Sequence, residues 1–135
     1  MTAVLDASAA VRQVVDPSGA PEIYKLVGQA ELVLAPELFV AETANAFWKY
    51  LRAGRLTREQ CELGLGAALE LVDDFVPLEP LASEAFDLAA TMGRPVYDVF
   101  YLVLARRNGA ILATADRQLL HDAAVLGVRT LAQTS

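Results

Sequence analysis

Four acidic residues lie close to the ends of predicted strands or the starts of predicted helices. Asp6 follows the first predicted strand, and Asp116 follows a later one. Asp98 falls in the first turn of a predicted helix, and Glu42 lies about one turn into another. An open α/β sheet places its site outside the carboxyl ends of its strands, so we expect these acids to face the same edge.

Carboxylates gathered at one edge favour a particular chemistry. Negative charges brought together repel one another, and isolated groups take up protons unless a cation lies among them. Carboxylate oxygens and water are ligands suited to Mg²⁺ or Mn²⁺. Such ions acidify a bound water and stabilise the oxygens of a phosphodiester displacement. The sequence therefore predicts metal-assisted hydrolysis of a phosphodiester.

Other catalytic chemistries fit the sequence less well. One histidine, His121, and one cysteine, Cys61, leave no zinc site and no nucleophile–histidine pair. Gly64 and Gly66 fall inside a predicted helix, not after a strand, so they do not form a phosphate-binding loop.

The stretch from Pro95 to Leu120 indicates how the acids are positioned. A helix is predicted to begin near Pro95 and to end at Asn108-Gly109. A short apolar strand, Ile111–Thr114, follows, and a further helix begins after Asp116.

The same alternation continues along the chain and predicts a parallel sheet covered by helices on both faces. The expected fold class is α/β, with three α/β/α layers and a mostly parallel sheet of about four to five strands. The other predicted strands are Thr2–Leu5, Leu32–Ala35, Phe75–Leu78 and Val128–Leu131. The other predicted helices are a short one after Asp6 and the segments Ala20–Ala30, Glu37–Ala53, Arg58–Asp73, Leu81–Met92 and Arg117–Leu126.

Two of the candidate site residues also have a structural explanation. Asp6 or Ser8 could simply cap the first helix, because either side chain can accept from its free N–H groups. Glu42 lies beside the apolar face of its helix, where a buried carboxylate is costly unless something satisfies it. A glutamate at the rim of a helix explains that pattern equally well.

Basic residues gather at the end of the helix that carries Glu42. Lys49, Arg52, Arg55 and Arg58 are four of the eleven basic residues, within a ten-residue window. They could contact phosphates or merely complement the helix dipole at a solvated helix end. The sequence leaves both interpretations open.

Composition sets the broad class of protein. The 135 residues, 55% hydrophobic and 21% charged, predict one globular domain over 1–135. The net charge of −6 argues against holding nucleic acid by bulk attraction, but cations in an acidic pocket would reverse the local field. One cysteine, no signal peptide and no apolar run near the ~20 residues of a membrane span predict a cytoplasmic protein without membrane contact.

Four short motifs occur in order along the chain: LDASA, AET, YDVFYLVLA and ATADRQLL. Together they resemble the PIN-domain ribonucleases, and within these the VapC-type toxins of prokaryotic toxin–antitoxin pairs. The resemblance covers essentially the whole chain in motif order, spacing and length. It implies a PIN-like fold and a Mg²⁺- or Mn²⁺-dependent endoribonuclease acting on structured RNA.

The resemblance also assigns roles to residues and partners. The family's four acids correspond to Asp6, Glu42, Asp98 and Asp116, and its supporting hydroxyl residues to Ser8 and Thr114. The three aspartates are expected to hold the metal, with the glutamate a ligand directly or through water. The candidates for contacting the RNA backbone are Lys49, Arg52 and Arg55. A homodimer is implied, together with a cognate antitoxin whose C-terminal segment wraps the toxin and occludes the acids. Some members carry a further acid where this chain has Gln118, which puts a second metal site in doubt.

Two other function classes compete with the nuclease. A PIN fold could recognise RNA or a protein without cutting, although the presence of all four acids weighs against a decayed site. Phosphotransfer, as in receiver domains or aspartate-nucleophile phosphatases, also uses acids at strand ends but needs a lysine after a late strand. Lys25 and Lys49 both come too early, and Ala7-Ser8 follows Asp6 in place of a second acid.

Overall fold

In a computed structural model, which describes residues 1–131, the chain forms a parallel four-stranded sheet between layers of helices. The strands are β1 (Thr2–Leu5), β2 (Leu32–Pro36), β3 (Asp74–Val76) and β4 (Ile111–Ala113), in the order β3-β2-β1-β4. The helices are α1 (Ala7–Val15), α2 (Pro21–Gln29), α3 (Leu38–Arg52), α4 (Arg58–Glu70), α5 (Glu79–Met92), α6 (Val96–Asn108) and α7 (Arg117–Leu126). The predicted fold class is confirmed.

Local sequence signals account for several of these boundaries. Helix α6 begins directly after Pro95 and ends at Asn108. Gly109 follows, and its φ of +56° is left-handed and suits a residue without a side chain. Helix α4 begins with a capping box, in which the side chains of Thr57 and Gln60 each accept from the other's backbone N–H.

Several predicted boundaries were wrong. Strand β3 is Asp74–Val76 instead of Phe75–Leu78, and α5 begins at Glu79 instead of Leu81. Two further differences involve pairing between distant residues. Helix α4 ends at Glu70 instead of Asp73, because Asp73 pairs with β2. Its N–H donates to the Val33 carbonyl (2.8 Å) and its carboxylate accepts from the Val33 N–H (2.8 Å). The predicted strand Val128–Leu131 is reduced to a single parallel bridge between Leu112 and Thr130.

The register of the sheet determines where the site forms. Leu5 at the end of β1 is paired with Ala113 at the end of β4. The pairing continues for one more residue, because the Asp6 N–H donates to the Ala113 carbonyl (3.0 Å). The residues that leave these two strands, Asp6 and Thr114, therefore lie side by side.

Helix α6 has more buried residues than any other helix within residues 1–131. Every residue from Val99 to Ala105 is buried, because α6 packs against β1, β2 and α5. A helix surrounded in this way shows a continuous apolar run instead of a single stripe. Among residues 1–131, no helix is long and apolar enough to span a membrane.

The contact between α3 and α4 leads to a stability prediction. A methyl group on Gly64 would come within 2.6 Å of the buried Phe47 ring. We expect Gly64→Ala to lower the free energy of unfolding by about 1–3 kcal/mol through overpacking, measured by urea denaturation. Gly66 is the matched control, since a methyl group there meets nothing within 4 Å. Gly66→Ala should raise the free energy of unfolding by about 0.5–1 kcal/mol, and equal effects of the two substitutions would contradict this interpretation.

Candidate active site

Asp6 is the most buried of the four acids, with only 5% of the residue exposed. It caps α1: its Oδ1 accepts from the Ala9 N–H (2.9 Å) and from the Ser8 hydroxyl (2.8 Å). Its Oδ2 accepts from the hydroxyl of Thr114. The capping interpretation is thus confirmed for Asp6. Capping uses only Oδ1, whereas Oδ2 contacts Thr114 where β1 and β4 end.

The two hydroxyl residues join the turns that follow β1 and β4. The Ser8 and Thr114 oxygens lie 3.4 Å apart. Ser8 Oγ accepts from the Ala115 N–H (3.1 Å), and Thr114 Oγ1 accepts from the Asp116 N–H (3.0 Å). These bonds hold Asp6 and the start of α7 together, as a supporting role would require.

Glu42 lies on α3, and its carboxylate is held by a residue that the sequence analysis missed. The Tyr101 hydroxyl donates to Glu42 Oε1 at 2.7 Å. The expected position beside the apolar face is observed, because Glu42 is half-buried. The tyrosine supplies the partner that such a carboxylate needs.

Asp98 and Asp116 complete the set at the starts of two helices. Asp98 is half-buried in the first turn of α6. Asp116 is exposed and caps α7, with its Oδ1 accepting from the N–H groups of Gln118 (2.8 Å) and Leu119 (3.1 Å).

The four acids form a series in which each carboxylate repels the next. Burial raises the pKa of Asp6 to about 6. Hydrogen bonds to Asp6 oppose this rise, and a smaller repulsion from Glu42 adds to it. Burial also raises the pKa of Glu42, with Asp98 adding to the shift and the Tyr101 bond opposing it. Burial and then the charge of Asp116 raise the pKa of Asp98, whereas the charge of Arg94 lowers it. Each acid therefore lies within the field of the next.

This donor set fits a hard divalent cation by its chemistry, since it consists of carboxylates whose mutual repulsion a cation would relieve. The ligand geometry itself is not assembled. Within residues 1–131, no three side chains of the His, Cys, Asp or Glu type are grouped closely enough to hold a metal ion.

A fifth acid, Asp122, lies near Asp98 but has a structural role. It is buried on α7, and its Oδ2 accepts from Arg94 Nε at 3.1 Å. Its Oδ1 accepts from the amide of Gln118 at 3.2 Å. Gln118, the departure from the family's pattern, thus helps to hold Asp122. The spacing of four residues between them on α7 was the available signal.

A groove of about 890 Å³ runs between α1 and α3. Glu42 and Ser8 line it, and so do three cations, Arg12, Lys49 and Arg55. Arg12 was missed by sequence analysis, because its place in the groove depends on how α1 packs on α3.

The other two basic residues of the predicted cluster lie outside the lining of this groove. The Arg52 guanidinium lies over the ring of Trp48, 5.4 Å from its centroid, and Trp48 is 51% exposed. Arg58 is paired with Glu62 at 3.1 Å on the surface of α4.

The chain is similar to known proteins in both sequence and structure. Residues 3–126 match the PIN domain family. The chain belongs to this family. This PIN-domain protein is 34% identical over 124 residues to Ribonuclease VapC3 of Pyrobaculum aerophilum, covering 88% of this chain and 92% of that protein. It is 32% identical over 97 residues to Exonuclease VapC9 of the same organism, covering 71% of each.

Solved structures show the same fold. The crystal structure of PAE2754 from Pyrobaculum aerophilum superposes with a TM-score of 0.77 at 25% identity, covering 99% of this chain and 86% of that one. VapBC2 from Rickettsia felis, bound to a DNA fragment from its promoter, has a TM-score of 0.63 at 15% identity, covering 90% and 92%. The predicted resemblance is confirmed, and so is the enzyme class, a hydrolytic nuclease.

Proposed function

We propose that this PIN-domain protein, as a single domain over 1–135, is a Mg²⁺- or Mn²⁺-dependent endoribonuclease and the toxin of a VapBC-like pair. The observation that carries the proposal is the edge where β1 and β4 end, at which Thr114 joins the carboxylate of Asp6 to the backbone N–H of Asp116. The mutual repulsion of Asp6, Glu42, Asp98 and Asp116 agrees with this arrangement. The name of Ribonuclease VapC3 supports RNA as the substrate.

In the proposed mechanism, Asp6, Asp98 and Asp116 would hold the ion, and Glu42 would be a ligand directly or through water. A bound ion would acidify a water and stabilise the charge on the phosphate oxygens. The Ser8 and Thr114 hydroxyls keep the Asp6 carboxylate in one orientation. Glu42 or Asp116 then orients the attacking water for displacement at phosphorus.

The groove supplies the path for the RNA strand. It leads from Glu42 and Ser8 to Lys49 and Arg55, so a strand whose phosphate lies at the acids would place a neighbouring phosphate near these cations. Cations gathered in one groove would allow a chain with a net charge of −6 to bind RNA.

Removing two of these cations should weaken RNA binding without changing the chemistry. We expect the double variant Lys49→Ala/Arg55→Ala to raise KM, and the salt dependence of RNA binding to fall by about 0.7 in slope per lost phosphate contact. Arg58→Ala is the matched control, because Arg58 lies outside the groove lining and already pairs with Glu62. An unchanged KM and salt slope in the double variant would show that RNA takes another path.

The partners of the protein follow from the same proposal. Structural similarity to VapBC2 supports a cognate antitoxin as the partner chain. We further propose that the protein is cytoplasmic and forms a homodimer. Light scattering of the purified chain tests the homodimer.

The function is tested by incubating total RNA with the purified, partner-free protein in Mg²⁺, in Mn²⁺ and in EDTA. Discrete internal fragments that require metal support an endoribonuclease, whereas trimming from strand ends would indicate an exonuclease instead. Salt-dependent RNA binding with no cleavage in any condition would favour the alternative, a PIN fold that binds RNA or protein without cutting.

A further inference from the structure

The hydroxyl of Tyr101 is a buried polar group that the proposed mechanism does not use. Only 1% of Tyr101 is exposed. Its oxygen donates to Glu42 Oε1 at 2.7 Å and accepts from the backbone N–H of Ala7. One hydroxyl thus joins α6, which carries it, to α3 and to the first turn of α1.

Each of these two bonds has a physical reason. Ala7 is the first residue of α1, so its N–H has no partner within the helix. The Glu42 carboxylate can only accept, so the Tyr101 hydroxyl is the donor of this bond. A proton donated to a carboxylate gives a stronger bond than one between neutral groups.

We propose that Tyr101 is a positioning residue, whose hydroxyl fixes Oε1 of Glu42 and leaves Oε2 as the oxygen that faces the metal ion. This inference rests on the proposed function. Tyr101 lies three residues after Asp98 on α6, so the bond also sets the distance between two acids that belong to different helices. Partners of this kind orient a metal ligand without touching the metal.

The test is the affinity for Mn²⁺, measured by isothermal titration calorimetry on the full chain. Tyr101→Phe removes the hydroxyl and keeps the ring. We expect the Kd for Mn²⁺ to rise about 10- to 100-fold, and kcat for RNA to fall while KM for RNA stays unchanged. The loss should disappear in a Glu42→Ala background, because two residues that act through one contact are not additive.

The matched control is Thr43→Val, which removes a buried hydroxyl next to Glu42 on α3. Within the described residues, Thr43 Oγ1 has no hydrogen-bond partner. Thr43→Val should therefore leave the Kd for Mn²⁺ unchanged. If Tyr101→Phe lowers the melting temperature but binds Mn²⁺ like the wild type, Tyr101 only supports the fold, and the inference is overturned.

Failure of this inference is distinguishable from failure of the proposed function. Wild-type protein that binds no Mn²⁺ and cuts no RNA overturns both, whereas wild-type binding that Tyr101→Phe leaves unchanged overturns the inference alone. If Tyr101→Phe does not fold, the inference is tested by the NMR chemical shift of the Tyr101 hydroxyl proton in the wild-type protein. This value should change when Mg²⁺ is added, and a constant resonance at saturating Mg²⁺ would contradict the inference.

Discussion

Asp6→Asn is expected to abolish RNA cleavage and, at the same time, to make the metal-free protein more stable at neutral pH. Cleavage is lost because the substitution removes the most buried of the four charges that would hold the ion. The fold survives because asparagine has nearly the same volume. Its oxygen can still accept from the Ala9 N–H and the Ser8 hydroxyl, and its NH₂ group can donate to Thr114.

The gain in stability follows from the pKa of Asp6, which burial raises from 3.8 to about 6. Between these pH values the folded protein binds a proton that the unfolded chain has released. Its stability therefore falls as the pH rises through this interval, and the cost is complete above pH 6. A shift of about two pKa units corresponds to at most about 3 kcal/mol, which the neutral asparagine does not incur.

Urea denaturation in EDTA measures this effect at two pH values. At pH 7.5 the free energy of unfolding of Asp6→Asn should exceed that of the wild type by up to about 3 kcal/mol, and at pH 4 the difference should nearly vanish. Retained cleavage by the variant would remove Asp6 from the site. A variant less stable than the wild type at pH 7.5 would show that its ionised carboxylate supports the fold.

Asp98→Asn is expected to abolish cleavage as well, without lowering the stability of the metal-free protein. Burial and the charge of Asp116 raise the pKa of Asp98, so the ionised carboxylate is less favourable in the folded protein than in the unfolded chain. Removing the charge should relieve this repulsion. The predicted result is a folded variant with a melting temperature equal to or above that of the wild type, and no detectable RNA cleavage.

Asp122→Asn is the matched control, because it changes a neighbouring aspartate whose role is structural and not metal-binding. Asp122 is buried and pairs with Arg94, whose side chain is 27% exposed. Breaking a fully buried pair costs about 3–5 kcal/mol, and a partly exposed partner such as Arg94 reduces that cost. Asp122→Asn should lower the melting temperature and leave cleavage by the folded fraction. The opposite pattern, with Asp98 needed for folding and Asp122 for cleavage, would reverse the two roles.

The sequence predicts those parts of the site that depend on local structure. Asp6 and Asp116 stand directly before helices, and their capping bonds reach no further than three residues along the chain. Glu42 lies beside the apolar face of α3, as the helical spacing predicts. Such patterns repeat within a turn of helix or at the end of a strand, so they are visible without tertiary structure.

The remaining contacts depend on which elements pack together. Tyr101 bonds to Glu42 across 59 residues, and Arg94 bonds to Asp122 across 28. The spacing of residues along α6 gives no indication that Tyr101 reaches α3. Asp73 shows the same limit in the sheet, where an apparent helix end instead serves as a backbone partner of β2.

The most direct test of the proposed site is to locate Mn²⁺ in crystals of the protein by anomalous scattering. We predict an anomalous peak bounded by carboxylate oxygens of Asp6 and Asp98, at metal–oxygen distances of about 2.1 Å, with Glu42 and Asp116 beside it. The peak should be absent from crystals of Asp6→Asn. Peaks only at other positions, from crystals soaked in saturating Mn²⁺, would contradict the four-carboxylate site.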